Sequence, residues 1–225
     1  MPIGALLFDL DGTLVDSAAD IARALSIVSR ARGGPLIDAA VVRPLVSLGA
    51  SVLVRRALGT VAGDDAADLG AFRTALGSLP PDPTIVFDGV EPALAALADA
   101  GFAMAIVTNK PEALSRQLLR GLGLDRYFMA IVGGDSAKLP KPDRSPLDLA
   151  LQQMAMTPDR AIMVGDSEID AAAARACAIP FILYTLGYGA AGCRDGDITQ
   201  RFHDFSLLPG VIRQAMLDIG KPTCA

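Results

Sequence analysis

Five short apolar runs alternate with helical patterns along this chain, and they constrain its fold more than anything else in the sequence. They cover residues 3–8, FAMAIVT (102–108), FMAIVG (128–133), AIMVG (161–165) and FILYT (181–185). Each is nearly free of charge, as strands buried on both faces must be. Helical patterns lie over 91–100, 111–122, 146–154 and 168–177. Strands that alternate with helices need right-handed crossovers. The outcome is an open parallel α/β sheet with helices on both faces, a Rossmann-like core.

Residues 17–83 break the alternation. AADIARALSIVSRA (18–31) and VLVRRAL (52–58) have amphipathic helical spacing. Ser17 and Asp20 are spaced as a capping box. PPDP (80–83) closes the stretch as a stiff linker. The division read from the sequence is a core of 1–16 and 84–225, with a helical insert of 17–83 hinged near Asp16–Ser17 and 80–83. FSLLPGVIRQAML (205–217) reads as a last helix on the core.

Composition removes several classes of function. Of 225 residues, 52% are hydrophobic and 20% charged, which supports a sizeable core rather than disorder. The net charge is −5 and no basic patch stands out, so a nucleic-acid partner is not expected. No apolar run approaches the roughly 20 residues of a membrane span. The N-terminus lacks the pattern of a secretory signal. Cys177, Cys193 and Cys224 are too widely spaced for a disulfide or zinc framework. These features indicate a reduced, cytoplasmic protein; a monomer or homodimer is expected, with no sequence feature that decides between them. A single histidine, His203, argues against His-based triads and multi-His metal sites.

Ligands of open parallel sheets bind beyond the carboxyl ends of the strands. The first strand delivers Asp9 and Asp11 there, and the second Thr108 and Asn109. The fourth delivers Gly165, Asp166 and, one helical turn on, Asp170. The loop after the third carries Lys138 and Lys141. Of the two, Lys141 is favoured because Pro142 follows it and Ser145-Pro146 then starts a helix. Carboxylates crowded at about 4 Å repel by about 4 kcal/mol per pair at an effective dielectric of about 20. A divalent cation removes that cost, and an all-oxygen ligand set suits Mg²⁺.

The pattern Asp9-x-Asp11-Gly12-Thr13-Leu14-x-Asp16-Ser17 resembles the first motif of the haloacid dehalogenase-like hydrolases. Thr108-Asn109 resembles their second motif, Lys141-Pro142 their third, and Gly165-Asp166-Ser167-x-x-Asp170 their fourth, all in family order. The 17–83 insert resembles the family's helical cap. TNKP (108–111), GGDS (133–136), KPDRSPL (141–147) and SLGASVLVRRAL (47–58) are most similar to phosphoglycolate phosphatases. The resemblance implies a Mg²⁺-dependent phosphomonoesterase that works through an aspartyl-phosphate on a small phosphometabolite.

In that scheme Asp9 is the nucleophile. Asp11 protonates the leaving oxygen and then activates water. Lys141 offsets the repulsion between Asp9 and the phosphate. Thr108 and the backbone N–H groups of Gly12 and Asn109 hold phosphoryl oxygens. Pro111, read as the first residue of a helix, turns a positive helix end toward the same place. The metal falls to Asp9, the Asp11 carbonyl and Asp166, with Asp170 as ligand or outer support. The flexible stretch from Ser47 through Gly49 to Ser51, with Arg55, is read as the part that recognises a substrate carboxylate. Asp16 and Ser17 are read as hinge and cap. Asp64, Asp65 and Asp68 are read as a solvated face, and His203 and the cysteines as structural.

Other activities fit less well. A dehalogenase needs no acid at Asp11. A phosphonate hydrolase of the family uses a cap lysine, and 17–83 contains none. A β-phosphoglucomutase-like cap supplies histidine and lysine, both missing from this insert. Sugar phosphates, nucleotides and pyridoxal phosphate remain alternative substrates. A binding module that retains the fold without turnover is the non-enzymatic alternative.

Overall fold

The computed structural model describes residues 2–219. The strands are β1 (Ala5–Phe8), β2 (Ala103–Val107), β3 (Ala130–Val132), β4 (Ala161–Gly165), β5 (Phe181–Tyr184) and β6 (Gln200–Phe202). All pair in parallel, in the order β3-β2-β1-β4-β5-β6. The first five match the five apolar runs. The sixth is absent from the sequence reading because it is a polar edge strand, with Arg201 exposed and only Phe202 turned inward.

Residues of β1 alternate between two cores, as a period of two requires. Leu6 and Phe8 join α5 (Val90–Asp99) and α9 (Leu208–Ile219) on one face. Ala5 and Leu7 join α7 (Ser145–Gln153) and α8 (Glu168–Ala176) on the other. The last of these helices, α9, starts three residues later than the sequence suggests, after a 3-10 turn at Phe205–Leu207. α6 (Glu112–Gly121) follows β2 and also packs on the first face through Leu119.

Between β1 and β2 run α1 (Ala18–Ala31), α2 (Ala39–Val42), α3 (Ala50–Leu58) and α4 (Asp65–Ser78). They close around apolar side chains of their own, including Ile21, Leu25, Leu53, Val54, Leu58 and Phe72. The two connections to this insert lie side by side. Asp16 N–H donates to Ile85 O at 2.7 Å, and Phe87 N–H to Leu14 O at 3.1 Å.

Two readings on the insert and its entry need correcting. Ser17 does not cap α1 with its side chain, and Asp20 pairs with Arg23 at 2.7 Å instead of closing a capping box. Asp68 is not a solvated acid: it is buried, ion-paired with Arg32 and bonded to Gly63 N–H at 2.7 Å. These two partners hold its carboxyl below the usual range. Asp64 caps α4 through Ala67 N–H, and Asp65 pairs with Arg55. Cys177 and Cys193 are free thiols, and Cys224 lies outside the described residues.

Candidate active site

Strand register sets the site. Phe8 is level with Ile106 of β2 and with Val164 of β4. Asp9, Thr108 and Gly165-Asp166 therefore leave the sheet at nearly the same height. Asp9 N–H continues the ladder to Val164 O at 2.9 Å, and Thr108 N–H does so to Val132 O at 3.0 Å. The chain order reverses between β1 and β4, which opens a crevice at that edge.

A buried ammonium organises the crevice. Lys141 Nζ donates to Asp9 Oδ1 at 2.7 Å, Asp170 Oδ1 at 2.7 Å and Val107 O at 2.6 Å. All three of its protons thus have partners. Asn109 fixes the lysine's own backbone: Lys141 N–H donates to Asn109 Oδ1 and the Asn109 amide donates back to Lys141 O, both at 2.9 Å. Lys138 is exposed. Of the two loop lysines, Lys141 is the one in the crevice.

Asp170 serves two partners. Its Oδ2 accepts from Ser167 N–H at 3.1 Å and Ser167 Oγ at 2.7 Å, which closes a capping box on α8. Its Oδ1 is left for Lys141. Asp166 is fixed at both oxygens. Thr13 Oγ1 donates to Oδ1 at 3.1 Å, and the Tyr188 and Gly189 N–H groups donate to Oδ2 at 2.6 and 3.2 Å. Gly12 makes this approach possible. Its φ is +92°, and a Cβ there would sit 2.7 Å from Asp166 Oδ2.

Asp9, Asp166 and Asp170 each offer a carboxylate oxygen, and these oxygens lie within 4.8 Å of one another. All are buried, with a single ammonium between them. Burial, with Asp170 and Asp166 adding to it, pushes the Asp9 carboxyl up to about 8 against the pull of Lys141. Burial and Asp170 raise Asp166 to about 6. Burial works to lower Lys141, but Asp170 and Asp9 outweigh it and raise the ammonium above its usual range. An excess of buried negative charge on hard oxygen donors is what a small divalent cation relieves, so the residues fit one.

Asp11 stands apart from this cluster. Its carboxylate accepts from Lys110 Nζ at 3.1 Å on both oxygens and from Ser17 Oγ at 2.6 Å. Ser17 therefore holds the second acid of the first motif, which explains why it does not cap its helix.

The crevice continues into a cleft of about 690 Å³, open solvent included, between the strand ends and the insert. Asp9, Asp11, Thr108, Asn109, Lys141 and Asp170 line its floor, and Ser47 and Gly49 its upper wall. Three sequence-based assignments, Gly12, Arg55 and Pro111, differ from this geometry. Gly12 N–H is committed to Val15 O at 2.8 Å, closing the turn after β1, and does not face the cleft. Asn109 lines the cleft as expected, with its side chain serving Lys141. Arg55 is exposed, bonded to Asp65 through Nε at 2.9 Å and does not line the cleft. Pro111 is the N-cap of α6 rather than its first residue.

Several contributors escaped the sequence reading. Lys110 holds Asp11, and its signal was its place directly after Thr108-Asn109. Tyr188 binds Asp166 through its N–H. Its hydroxyl donates to Asp16 Oδ1 at 2.6 Å and accepts from Ala18 N–H at 3.1 Å. Arg43 pairs with the same Asp16 at 2.6 Å and lies over the Tyr188 ring. Arg73 of α4 also lines the cleft. Tyr188 and Arg73 carry no local signal in the sequence.

Comparison with known proteins agrees with this geometry. Residues 6–184 match the family model described as haloacid dehalogenase-like hydrolase. A phosphoglycolate phosphatase of Rhodospirillum rubrum is 36% identical over 213 residues, covering 91% of this chain and 88% of the relative. The plasmid-encoded phosphoglycolate phosphatase of Cupriavidus necator is 40% identical over 203 residues, covering 85% of each. A crystal structure from Haemophilus somnus, described as a predicted phosphoglycolate phosphatase, superposes with a TM-score of 0.80 at 25% identity, over 93% of this chain and 97% of that one. The chain belongs to the haloacid dehalogenase-like hydrolases. Within that family it is a phosphatase. No described helix is long and apolar enough to cross a membrane.

Proposed function

We infer that the protein is a Mg²⁺-dependent phosphomonoesterase whose substrate is 2-phosphoglycolate. The observation that carries the chemistry is the buried Lys141 bridging Asp9 and Asp170 beside Asp166, at the floor of a cleft roofed by a helical insert. The substrate follows the names of the relatives at 36% and 40% identity. Asp9, Asp166 and the Asp11 carbonyl would hold Mg²⁺, with Asp170 in support. When bound, the ion supplies positive charge that lets a phosphate dianion approach three carboxylates.

The remaining chemistry belongs to the chain. Asp9 attacks phosphorus with the oxygen not held by Lys141, forming a carboxyl–phosphoryl bond as the P–O bond to the leaving group breaks. Asp11 delivers a proton to that leaving oxygen. It then takes a proton from the water that attacks the aspartyl-phosphate, so that Asp9 and inorganic phosphate are regenerated. Ser17 and Lys110 hold Asp11 in place for both steps. Lys141 keeps Asp9 oriented and partly neutralised, and the Thr108 hydroxyl donates to a phosphoryl oxygen. The 17–83 insert acts as a cap that covers the cleft and keeps bulk water from the intermediate.

The test is phosphate release from a panel of phosphomonoesters, with Mg²⁺ and with chelator. The panel includes phosphoglycolate, sugar phosphates, nucleotides and pyridoxal phosphate. A Mg²⁺-dependent preference for phosphoglycolate is expected. Preference for another ester would remove the substrate, and release unaffected by chelator would remove the metal.

A further inference from the structure

Three cationic side chains line the cleft: Lys110, Lys141 and Arg73. Two are already engaged. Lys141 holds Asp9 and Asp170, and Lys110 holds both oxygens of Asp11. Arg73 makes no hydrogen bond or ion pair with any described residue, and it is the one cation that the insert contributes to the lining. The site therefore has one charge in reserve, on the side opposite the catalytic carboxylates.

The register of α4 aims that charge. Gly77 lies one turn after Arg73, and residues four apart on a helix share a face. Gly77 O accepts from Gln117 Nε2 of α6 at 2.7 Å, and a Cβ at Gly77 would lie 3.2 Å from Leu114. This face of α4 thus packs on α6. Arg73 stands one turn back along it, toward the end of α6 that follows Thr108-Asn109-Lys110. The apolar Phe72 and Leu76 flank it in the lining. A guanidinium presents a planar fork matched to a carboxylate.

We propose that Arg73 selects the substrate by binding its second anionic group, a carboxylate one carbon away from the phosphate ester oxygen. The inference rests on the phosphatase reading above and names the residue that makes the site prefer an acidic phosphoester. It replaces Arg55, which the sequence suggested for this task and which is engaged with Asp65. Ser47 and Gly49, on the same wall, shape the space around the carboxylate without supplying charge.

The experiment compares kcat/KM for phosphoglycolate and for ethyl phosphate, an ester of similar size without the carboxylate, in the wild type and in Arg73→Ala, Arg73→Gln and Arg73→Lys. Arg73 is an exposed residue, so the variants are expected to fold, with thermal melts as the check. The preference ratio should fall about 10- to 100-fold in Arg73→Ala and Arg73→Gln, as for loss of a charge-assisted hydrogen bond, mainly through KM for phosphoglycolate. Arg73→Lys should recover part of it. A wild type without preference for phosphoglycolate would overturn the substrate reading, and the proposal with it. A wild-type preference that survives unchanged in Arg73→Ala and Arg73→Gln would overturn the proposal alone.

Discussion

Lys141 Nζ lies 2.7 Å from Asp170 Oδ1, and both side chains are almost wholly buried. Asp170 is anchored by the capping box at the start of α8 and Lys141 by the Asn109 clasp on its backbone. The ion pair therefore ties the third strand's loop to the fourth strand's helix, and Asp9 joins it from between them.

Lys141→Ala should remove this link and leave two buried carboxylates without their counter-charge. Breaking a buried pair costs about 3–5 kcal/mol, so the melting temperature should fall well below the wild type's. Phosphate release should drop by at least about 100-fold, as for loss of a preorganised electrostatic contact. Lys138→Ala, at an exposed position of the same loop, should stay within about twofold of the wild type, since surface substitutions seldom matter. Equal effects of the two substitutions in melts and phosphate assays would contradict this account of the loop.

Stability of the metal-free protein should fall as pH rises from about 5 to about 8. Asp9 is raised to about 8 and Asp166 to about 6, both above the ordinary 3.8. Between 3.8 and about 8 the folded chain holds protons that the unfolded chain has released. Stability contributed by these groups is complete below 3.8 and is lost as pH climbs through the raised values. Carboxyls held low, such as Asp16, Asp143 and Asp204, act below this window. Thermal melts in chelator across the range should show the decline, and Mg²⁺ should flatten it by binding the ionised form. Melts in chelator that rise toward pH 8 would reverse the sign assigned to the cluster.

The parts of this site legible in the sequence are those fixed locally. Asp9 and Asp166 follow apolar runs at strand ends, and the strands' register brings them together without further instruction. The parts that were not legible depend on contacts between distant segments. Lys110 meets Asp11 across 99 positions, and Tyr188 meets Asp16 across 172. Lys110 is flagged only by its place after Thr108-Asn109, and Tyr188 has no local pattern to give it away. Ser17 shows how a local rule can mislead: Ser-x-x-Asp spacing suggests a capping box, but the nearer carboxylate of Asp11 takes the hydroxyl. The α8 capping box, with the same Ser-x-x-Asp spacing, forms because Ser167 has no such competitor. Strand β6 was missed for a related reason, since an edge strand needs no apolar outer face.

Ser17→Ala separates the two readings of that residue. If the hydroxyl positions Asp11, kcat should fall about tenfold, a part of the roughly 10²- to 10⁴-fold that general acid–base catalysis contributes, while the melting temperature barely changes. If it capped α1, the substitution would cost about 1 kcal/mol of stability and leave kcat alone. Steady-state kinetics beside a thermal melt decides between them.

Tyr188 connects the candidate metal site to the entry of the insert, and two substitutions in its loop should pull these roles apart. Its N–H holds Asp166, whereas its hydroxyl holds Asp16 and Ala18 at the first connection. Tyr188→Phe removes only the hydroxyl. The backbone bonds to Asp166 survive, so Mg²⁺ affinity should stay within about threefold, while about 1–2 kcal/mol of hydrogen bonding is lost where the insert begins. Faster amide exchange at residues 16–19 should report that loss. Gly187→Ala acts at the other end, because a Cβ there would meet Asp166 Cβ at 2.2 Å and displace the carboxylate. Mg²⁺ affinity should then fall about 10- to 100-fold, the usual effect of disturbing the support of a metal ligand. Calorimetric titration of both variants with Mg²⁺ tests the division. A Tyr188→Phe protein that loses the metal as severely as Gly187→Ala would show that the hydroxyl, not the backbone, sets the position of Asp166.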